Sequence, residues 1–482
     1  LRRARAGEPD PTLPALYFEY GRYLLQACTL KGDLPPNLQG KWNEDLEPPW
    51  QSDLHQNINL QMNLWPAEML GMNHAVETLI GHIERQVPHG RIAARDLYGC
   101  DGIVFPLQTD PWGRCTPESF GWATWIGAAP WLAQHLWWHW QYTHDLVYLE
   151  HCAYPVFKEI AAFYESYLIE DAAGQLQIVP SQSPENRIAG GGPYPVTLCV
   201  SSAMDVQLAQ SALSWAVESA RELERDAEAA SRWQALIDRL PPQRIGSAGQ
   251  LLEWNQEYEE VEPQHRHFSH LFGLFPGDLF DPERTPELWE AARVALERRL
   301  AAGGGHTGWS RAWVACMYAR LGDGAKAWDH LMHLITDFAT DSLLDLHPPR
   351  IFQIDGNFGG TAAVLAMLLQ CERGELRLLP ALPAAWPDGD VEELWAHGAM
   401  RISMTWRGGR LTQAFILATA PGRCVIRVAD GESFRVTGNE DERVPVEHLP
   451  GRVAFDVDEG TEYFLEPVRR RGGARRAPRA KA

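Results

Sequence analysis

The chain has 482 residues, 45% hydrophobic and 22% charged, which is the composition of a folded globular protein of about two or three domains. A formal net charge of −20 excludes nucleic acid as the natural ligand, since that affinity comes from Lys and Arg neutralising phosphates. No apolar run reaches the roughly 20 residues of a membrane span; segment 124–140 is interrupted by Pro130, Gln134 and His135.

The chain opens on Leu1 rather than Met, with a short basic stretch and then Pro9, Pro11 and Pro14, so its true amino terminus is expected to lie elsewhere. Residues 1–35 read as a linker and helical lead-in, with Leu16, Tyr17, Tyr20, Leu24 and Leu25 at helical spacing. Val76, Leu79, Ile80 and Ile83 repeat the pattern. Further helices are predicted over 122–142, 146–169, 203–223, 225–239, 285–302, 307–321, 324–338 and 358–371, several of them paired across short loops. About a dozen paired helices in one domain is what a closed ring of helical hairpins needs, so residues 36–375 are assigned to an (α/α)6 barrel in a mainly α protein. An open solenoid is not favoured, because no repeat of roughly 33 to 47 residues is visible.

Leu379-Pro380-Ala381-Leu382-Pro383 marks a seam, since its prolines stop helix growth. After it, Met400–Trp406, Gln413–Leu417, Cys424–Val428 and Val453–Phe464 are rich in strand formers and separated by Gly-containing turns. Residues 376–467 therefore read as a small antiparallel, sandwich-like β domain. Residues 468–482 read as a solvated basic tail, with Arg469, Arg470, Arg471, Arg475 and Arg476 in a stretch lacking apolar period. Eight cysteines show neither a C-x-x-C pair nor zinc spacing and are read as buried thiols.

Three remote segments concentrate the chemistry: His55-Gln56-Asn57-Ile58-Asn59, Ser183-Pro184-Glu185-Asn186 and Gln353-Ile354-Asp355-Gly356-Asn357-Phe358-Gly359-Gly360. Together they supply two acids and paired amides, the equipment for splitting a glycosidic bond with water. Two positions apart, Asn57 and Asn59 point to one side of an extended segment but diverge on a helix, so 54–60 is predicted extended or irregular. An amide is too weak a base to act alone, and Asp355 must then hydrogen-bond to an Asn or to the water. Glu185 needs the opposite tuning, protonated at working pH through burial among apolar walls. Acid and base should stand about 6.5 to 9.5 Å apart for a water to fit between base and sugar. Each residue also has a plainer reading: Glu185 as a helix cap or partner of Arg187, Asp355 as a cap for the helix after it. Twenty Trp, many of them in the helical part, fit a sugar's C–H face as well as they fit a core.

Seven segments in order resemble the α-L-fucosidases of glycoside hydrolase family 95. They are Gly40-Lys41-Trp42-Asn43, the run from His55 to Glu68, Thr109-Asp110-Pro111-Trp112-Gly113, Ser183–Asn186, His265-Arg266-His267-Phe268-Ser269-His270-Leu271, Gly303-Gly304-Gly305-His306-Thr307-Gly308-Trp309-Ser310-Arg311, and Gln353–Gly360. The resemblance spans about residues 36 to 420 and lacks the amino-terminal β domain those enzymes carry. It implies an inverting exo-glycosidase: Glu185 as general acid, Asn57 and Asn59 as holders of the attacking water, and Asp355 as the supporting base. The implied substrate is a terminal fucose, α-1,2-linked to galactose, on a fucosylated oligosaccharide or glycoconjugate. His55, His267, His270 and His306 are expected on sugar hydroxyls, and Trp309, Arg311 and Trp112 at the substrate. No metal or organic cofactor is expected, His265-x-His267-x-x-His270 being a weak metal spacing. Three other readings stay open: an α-L-galactosidase, a sugar phosphorylase using the Gly303–Gly308 loop for phosphate, and a non-catalytic carbohydrate-binding protein.

Overall fold

The computed structural model describes all residues except 9, 119–120, 191–195, 430, 440–441 and 470–482. Most of the basic tail read from the sequence therefore lies outside the described residues.

One helix organises the amino-terminal part. Asp355–Leu368 is buried along its whole length, which fits a sequence apolar all round rather than on one stripe. Helix Leu13–Thr29 packs on it with Tyr17, Leu24 and Leu25 buried, and helix Gly308–Arg320 packs on another side. Its glycines permit this crowding. A Cβ on Gly359 would stand 2.8 Å from both Ala312 Cβ and Met62 Sδ, and one on Gly360 would stand 2.6 Å from the Tyr17 ring. Around this centre, Tyr154–Tyr167 packs on Ala203–Glu222, which pairs with Ala227–Ile237, while Gly308–Arg320 pairs with Gly324–Asp337. Several boundaries follow legible caps: Thr307 Oγ1 accepts from Ser310 N at 3.2 Å and Asp323 Oδ1 from Lys326 N at 3.0 Å.

Three helices differ from the reading. The one predicted over 358–371 runs from Asp355 to Leu368, and residues 369–371 are strand instead. The one predicted from 122 begins at Ala128, because Pro130 is tolerated only in a first turn; Trp125 ahead of it turns into the core and donates to Asp205 Oδ1 at 3.0 Å. The 146–169 helix is a short turn, Leu146–Tyr148, then π geometry over Leu149–Ala153, then Tyr154–Tyr167. Pro155 has no N–H for the preceding turn, which the wider π turn accommodates.

Aromatic rings fill the centre of the helical part. Trp65 meets Phe275 at 5.0 Å and Trp313 at 6.3 Å between centroids, and Trp313 meets Phe268 at 5.9 Å and Trp131 at 6.2 Å. Much of the tryptophan excess is thus core rather than ligand surface. Among the described residues no helix is long and apolar enough to cross a membrane.

From Leu369 onward the strands form two five-stranded sheets. One holds Gly389–Ala396, Met400–Arg407, Arg410–Ala418, Glu462–Arg469 and Glu432–Thr437; the other holds Leu369–Glu372, Glu375–Leu378, Gly422–Arg427, Arg452–Val457 and Glu447–Leu449. Met400–Arg407 alternates buried and half-buried residues and turns back through Gly408 and Gly409, both at positive φ, as a two-residue hairpin requires. Pairing is antiparallel except where Ile426 lies parallel to Leu376. Charged pairs tie this domain to the helices: Arg427 Nη2 donates to Asp281 Oδ2 at 2.7 Å and Arg452 Nη2 to Glu283 Oε2 at 2.8 Å.

Candidate active site

Segment 54–58 is extended or irregular, as the amide spacing predicts. Leu54–His55 pairs with Gln108–Thr109, and Gln56 N donates to Leu107 O at 2.7 Å. Gln56 is pinned further by Gln86 and Gln61. The prediction fails one residue later, because Asn59 opens the helix Asn59–Leu64. Both amides still reach one pocket, at the starts of Asn59–Leu64 and Asp355–Leu368.

Asn57 is 1% exposed, lines the pocket, and has neither its Oδ1 nor its Nδ2 hydrogen-bonded to any described residue. A buried amide without partners is costly, so this one is poised for a water or a ligand hydroxyl. Asn59 lines the same pocket and donates from Nδ2 to Asp355 Oδ2. Asp355 is fully buried behind Asn59, and its Oδ1 accepts from Gly356 N at 2.9 Å. Burial raises Asp355 to about 7, against the hydrogen bonds of Asn59 and Gly356. Next to Gly356 sits a second buried acid, Asp345, lifted well above the carboxylate range by burial and by Asp355, hence neutral.

Glu185 faces the amides from a different loop. A polar network holds that loop in place: Ser183 Oγ donates to Glu253 Oε1 at 2.7 Å, Asn186 Nδ2 to Glu260 Oε2 at 2.7 Å, and Arg299 Nη2 to Glu253 Oε2 at 2.7 Å. Arg299 Nη1 also donates to His267 O at 2.6 Å, joining the 265–271 segment to the same frame.

The charge state of Glu185 differs from the sequence expectation. Burial alone would raise it, but the charges of Arg266 and His55 outweigh burial and hold it well below the usual carboxylate range. Its walls are cationic rather than apolar: Arg266 Nη2 donates to Oε2 at 2.5 Å, His267 Nε2 lies 3.7 Å from Oε2, and His55 Nε2 lies 3.9 Å from Oε1. His267 is itself driven neutral by burial, which leaves Arg266 and His55 as the standing charges. Burial works against a charged His55 as well, yet Asp53, whose Oδ2 lies 3.2 Å from Nδ1, and Glu185 raise it to about 10. The site therefore holds an ionised Glu185 against a protonated His55.

Of the expected substrate residues, His55, His267 and Trp309 line the pocket, with the Trp309 ring edge-on to His267 at 4.8 Å. Four others do not. His270 packs beneath the loop, 3.7 Å from Glu253, and burial lowers it to about 4. Arg311 turns away to His330 Nδ1 at 2.9 Å. His306 is exposed and outside the lining, and Trp112 is 77% exposed on the surface after Gln108–Thr109. Arg266, His347, Gln353 and Trp50 line the pocket without having been singled out. Arg266 and Gln353 lay inside the matched segments. Asp53 was legible too, because positions 53 and 55 share one side of an extended segment. Among the described residues no cluster of His, Cys, Asp or Glu is arranged to hold a metal ion.

Residues 1–368 match the glycosyl hydrolase family 95 catalytic domain, and residues 370–465 match the C-terminal domain of glycoside hydrolase family 95. The chain belongs to glycoside hydrolase family 95. Among its curated family relatives, an α-L-fucosidase 2 of Arabidopsis thaliana is 36% identical over 421 residues, covering 84% of this chain and 49% of that protein. A probable α-fucosidase A of Aspergillus niger is 31% identical over 423 residues, covering 82% and 52% respectively. The chain spans about half the length of the curated relatives it matches. A putative kojibiose phosphorylase from human microbiome shares the fold at TM-score 0.60 and 9% identity, over 92% of this chain and 65% of that one.

Proposed function

We propose that this chain is the catalytic portion of an inverting exo-α-L-fucosidase that hydrolyses terminal α-L-fucosyl residues, preferentially α-1,2-linked to galactose. The observation that carries the reading is the pocket in which the partnerless Asn57 and the Asp355-bound Asn59 stand with Glu185. Relatives named as fucosidases supply the substrate class. The closing of helix Leu13–Thr29 on helix Asp355–Leu368, first long helix on last, supports an (α/α)6 barrel around that pocket.

Asn57 and Asn59 bind the attacking water, which inserts where Asn57 lacks partners. Asp355 orients Asn59 and takes the charge that develops as the water loses its proton, directly or through the amide. With a value near 7, it is a stronger base than an ordinary carboxylate and still ionised above neutrality. On the other side, the Glu185–His55 pair holds one proton between them. A leaving oxygen arriving at Glu185 displaces water and favours the microstate with the proton on the carboxyl, so Glu185 donates it and His55 serves as its reservoir. Arg266 and His267 fix the carboxyl plane.

The direct test is digestion of fucosylated oligosaccharides of defined linkage, with and without inorganic phosphate. Release of free fucose, fastest from α-1,2-fucosyl-galactose and indifferent to phosphate, is expected. Fucose 1-phosphate as product would move the chain to the phosphorylases, and faster release of L-galactose would move it to the galactosidases.

A further inference from the structure

A second cavity lies at the far end of the helical domain. Helix Asp355–Leu368 runs from beside the catalytic pocket at Asp355 to this cavity at Ala362, Leu365 and Ala366, about 10 to 17 Å along its axis at 1.5 Å per residue. Trp65 and Phe275 line the cavity and meet edge-to-face at 5.0 Å, and Trp65 also meets Trp313 edge-on at 6.3 Å. The cavity lies between the helices and the β domain and has a volume of about 90 Å³, against about 60 Å³ for the catalytic pocket.

Its walls are aromatic: Trp65, Trp137, Trp138 and Trp215 all line it. Its charged groups are already matched with one another or with neighbours. Arg320 pairs with Glu372 at 3.0 Å, Glu68 with His139 at 3.0 Å, and Asp278 faces Arg373 at 3.7 Å. Six lining atoms have no hydrogen-bond partner among the described residues: Arg320 Nε and Glu372 Oε1 belong to the ion pair just named, and the other four are neutral. Trp65 Nε1 is a donor, Gln134 Oε1 and Gln370 Oε1 are acceptors, and His397 Nδ1 belongs to a ring kept neutral by burial. All four side chains are more than nine-tenths buried. Each such atom costs about 1 to 3 kcal/mol until something hydrogen-bonds to it.

An ion would find no free countercharge here. An apolar ligand would leave the four polar atoms unpaired. A ligand whose hydroxyls both donate and accept, and whose C–H faces suit indole rings, satisfies walls and polar atoms together. We infer that this cavity is a second carbohydrate site, which takes one neutral sugar ring or the end of a neutral oligosaccharide apart from the catalytic pocket. It holds glycan without reacting on it.

The test uses the full chain and no turnover readout, so it is independent of the fucosidase reading. Crystals are soaked in D-galactose, D-glucose or L-fucose at about 100 mM, enough to saturate a millimolar site, and the same sugars are titrated by tryptophan fluorescence. The expected result is ring density against Gln134 and Gln370, with affinity at least tenfold weaker in Met69→Trp, which narrows the cavity from its half-buried rim. Gln134→Leu, which removes one acceptor at similar volume, should weaken binding likewise; circular dichroism melts check that both variants fold. Waters alone at the four polar atoms in every soak, or equal affinity in wild type and both folded variants, would overturn the inference.

Discussion

Asp355→Asn separates function from folding more sharply than any other single change. The side chain is fully buried and shifted from 3.8 to about 7, chiefly by desolvation. At about 1.4 kcal/mol per unit, holding it ionised at about pH 8 costs the native state up to about 4 kcal/mol. The sign follows from the raised value: the native state binds its proton more tightly than the unfolded chain, so the penalty is absent below the unfolded value near 4 and complete above about 7. Asparagine removes the charge and keeps the shape, and its one oxygen can accept from Asn59 or from Gly356 N but not from both. It should raise the denaturation midpoint at about pH 8, by less than the 4 kcal/mol ceiling, and have little effect on stability at about pH 4. Activity should move the other way, kcat/KM falling by about 10² to 10⁴ with loss of the base. Urea melts at the two pH values and hydrolysis of an aryl α-L-fucoside measure both. A variant that stays within tenfold of wild-type activity, or that is destabilised equally at both pH values, would refute the reasoning.

Wild-type kcat/KM should rise about tenfold between about pH 6 and pH 8 as Asp355 ionises, and fall above about pH 10 as His55 loses the proton it shares with Glu185. In His55→Gln the reservoir is gone while Arg266 still holds Glu185 low; the alkaline limb should move to the acid side and neutral-pH activity drop about 10²-fold, read from the pH profile. Gly360→Ala places a methyl 2.6 Å from the Tyr17 ring and 2.9 Å from Leu334 Cδ2 and should destabilise by about 1 to 3 kcal/mol in urea melts. Trp112→Ala, on the surface and outside the pocket, should leave kcat/KM within about twofold.

What the sequence made legible followed local rules. Helices Gly308–Arg320 and Gly324–Asp337 fall where Thr307 and Asp323 cap them, and the change from helical to alternating period locates the β domain. The three chemical segments could be picked out because their residue types are improbable as core. The remainder depended on partners remote in sequence. Glu185 carries no local sign that Arg266, 81 positions on, will ionise it, and burial read as apolar proved to be burial among cations. Arg311 and Trp309 lie two positions apart on one helix, so they leave it in different directions, and only Trp309 reaches the pocket. A lone aspartate such as Asp345 has no pattern to mark it, although it ends beside two glycines, Gly308 and Gly356, that leave room for its carboxyl.

The central claim is a single displacement by a water held between Asn57 and Asn59. The measurement that addresses it most directly is proton NMR of the sugar first released from an α-1,2-fucosyl-galactose substrate, recorded before mutarotation. The account predicts β-L-fucose as the initial anomer. Initial α-L-fucose would mean a covalent intermediate and would contradict it.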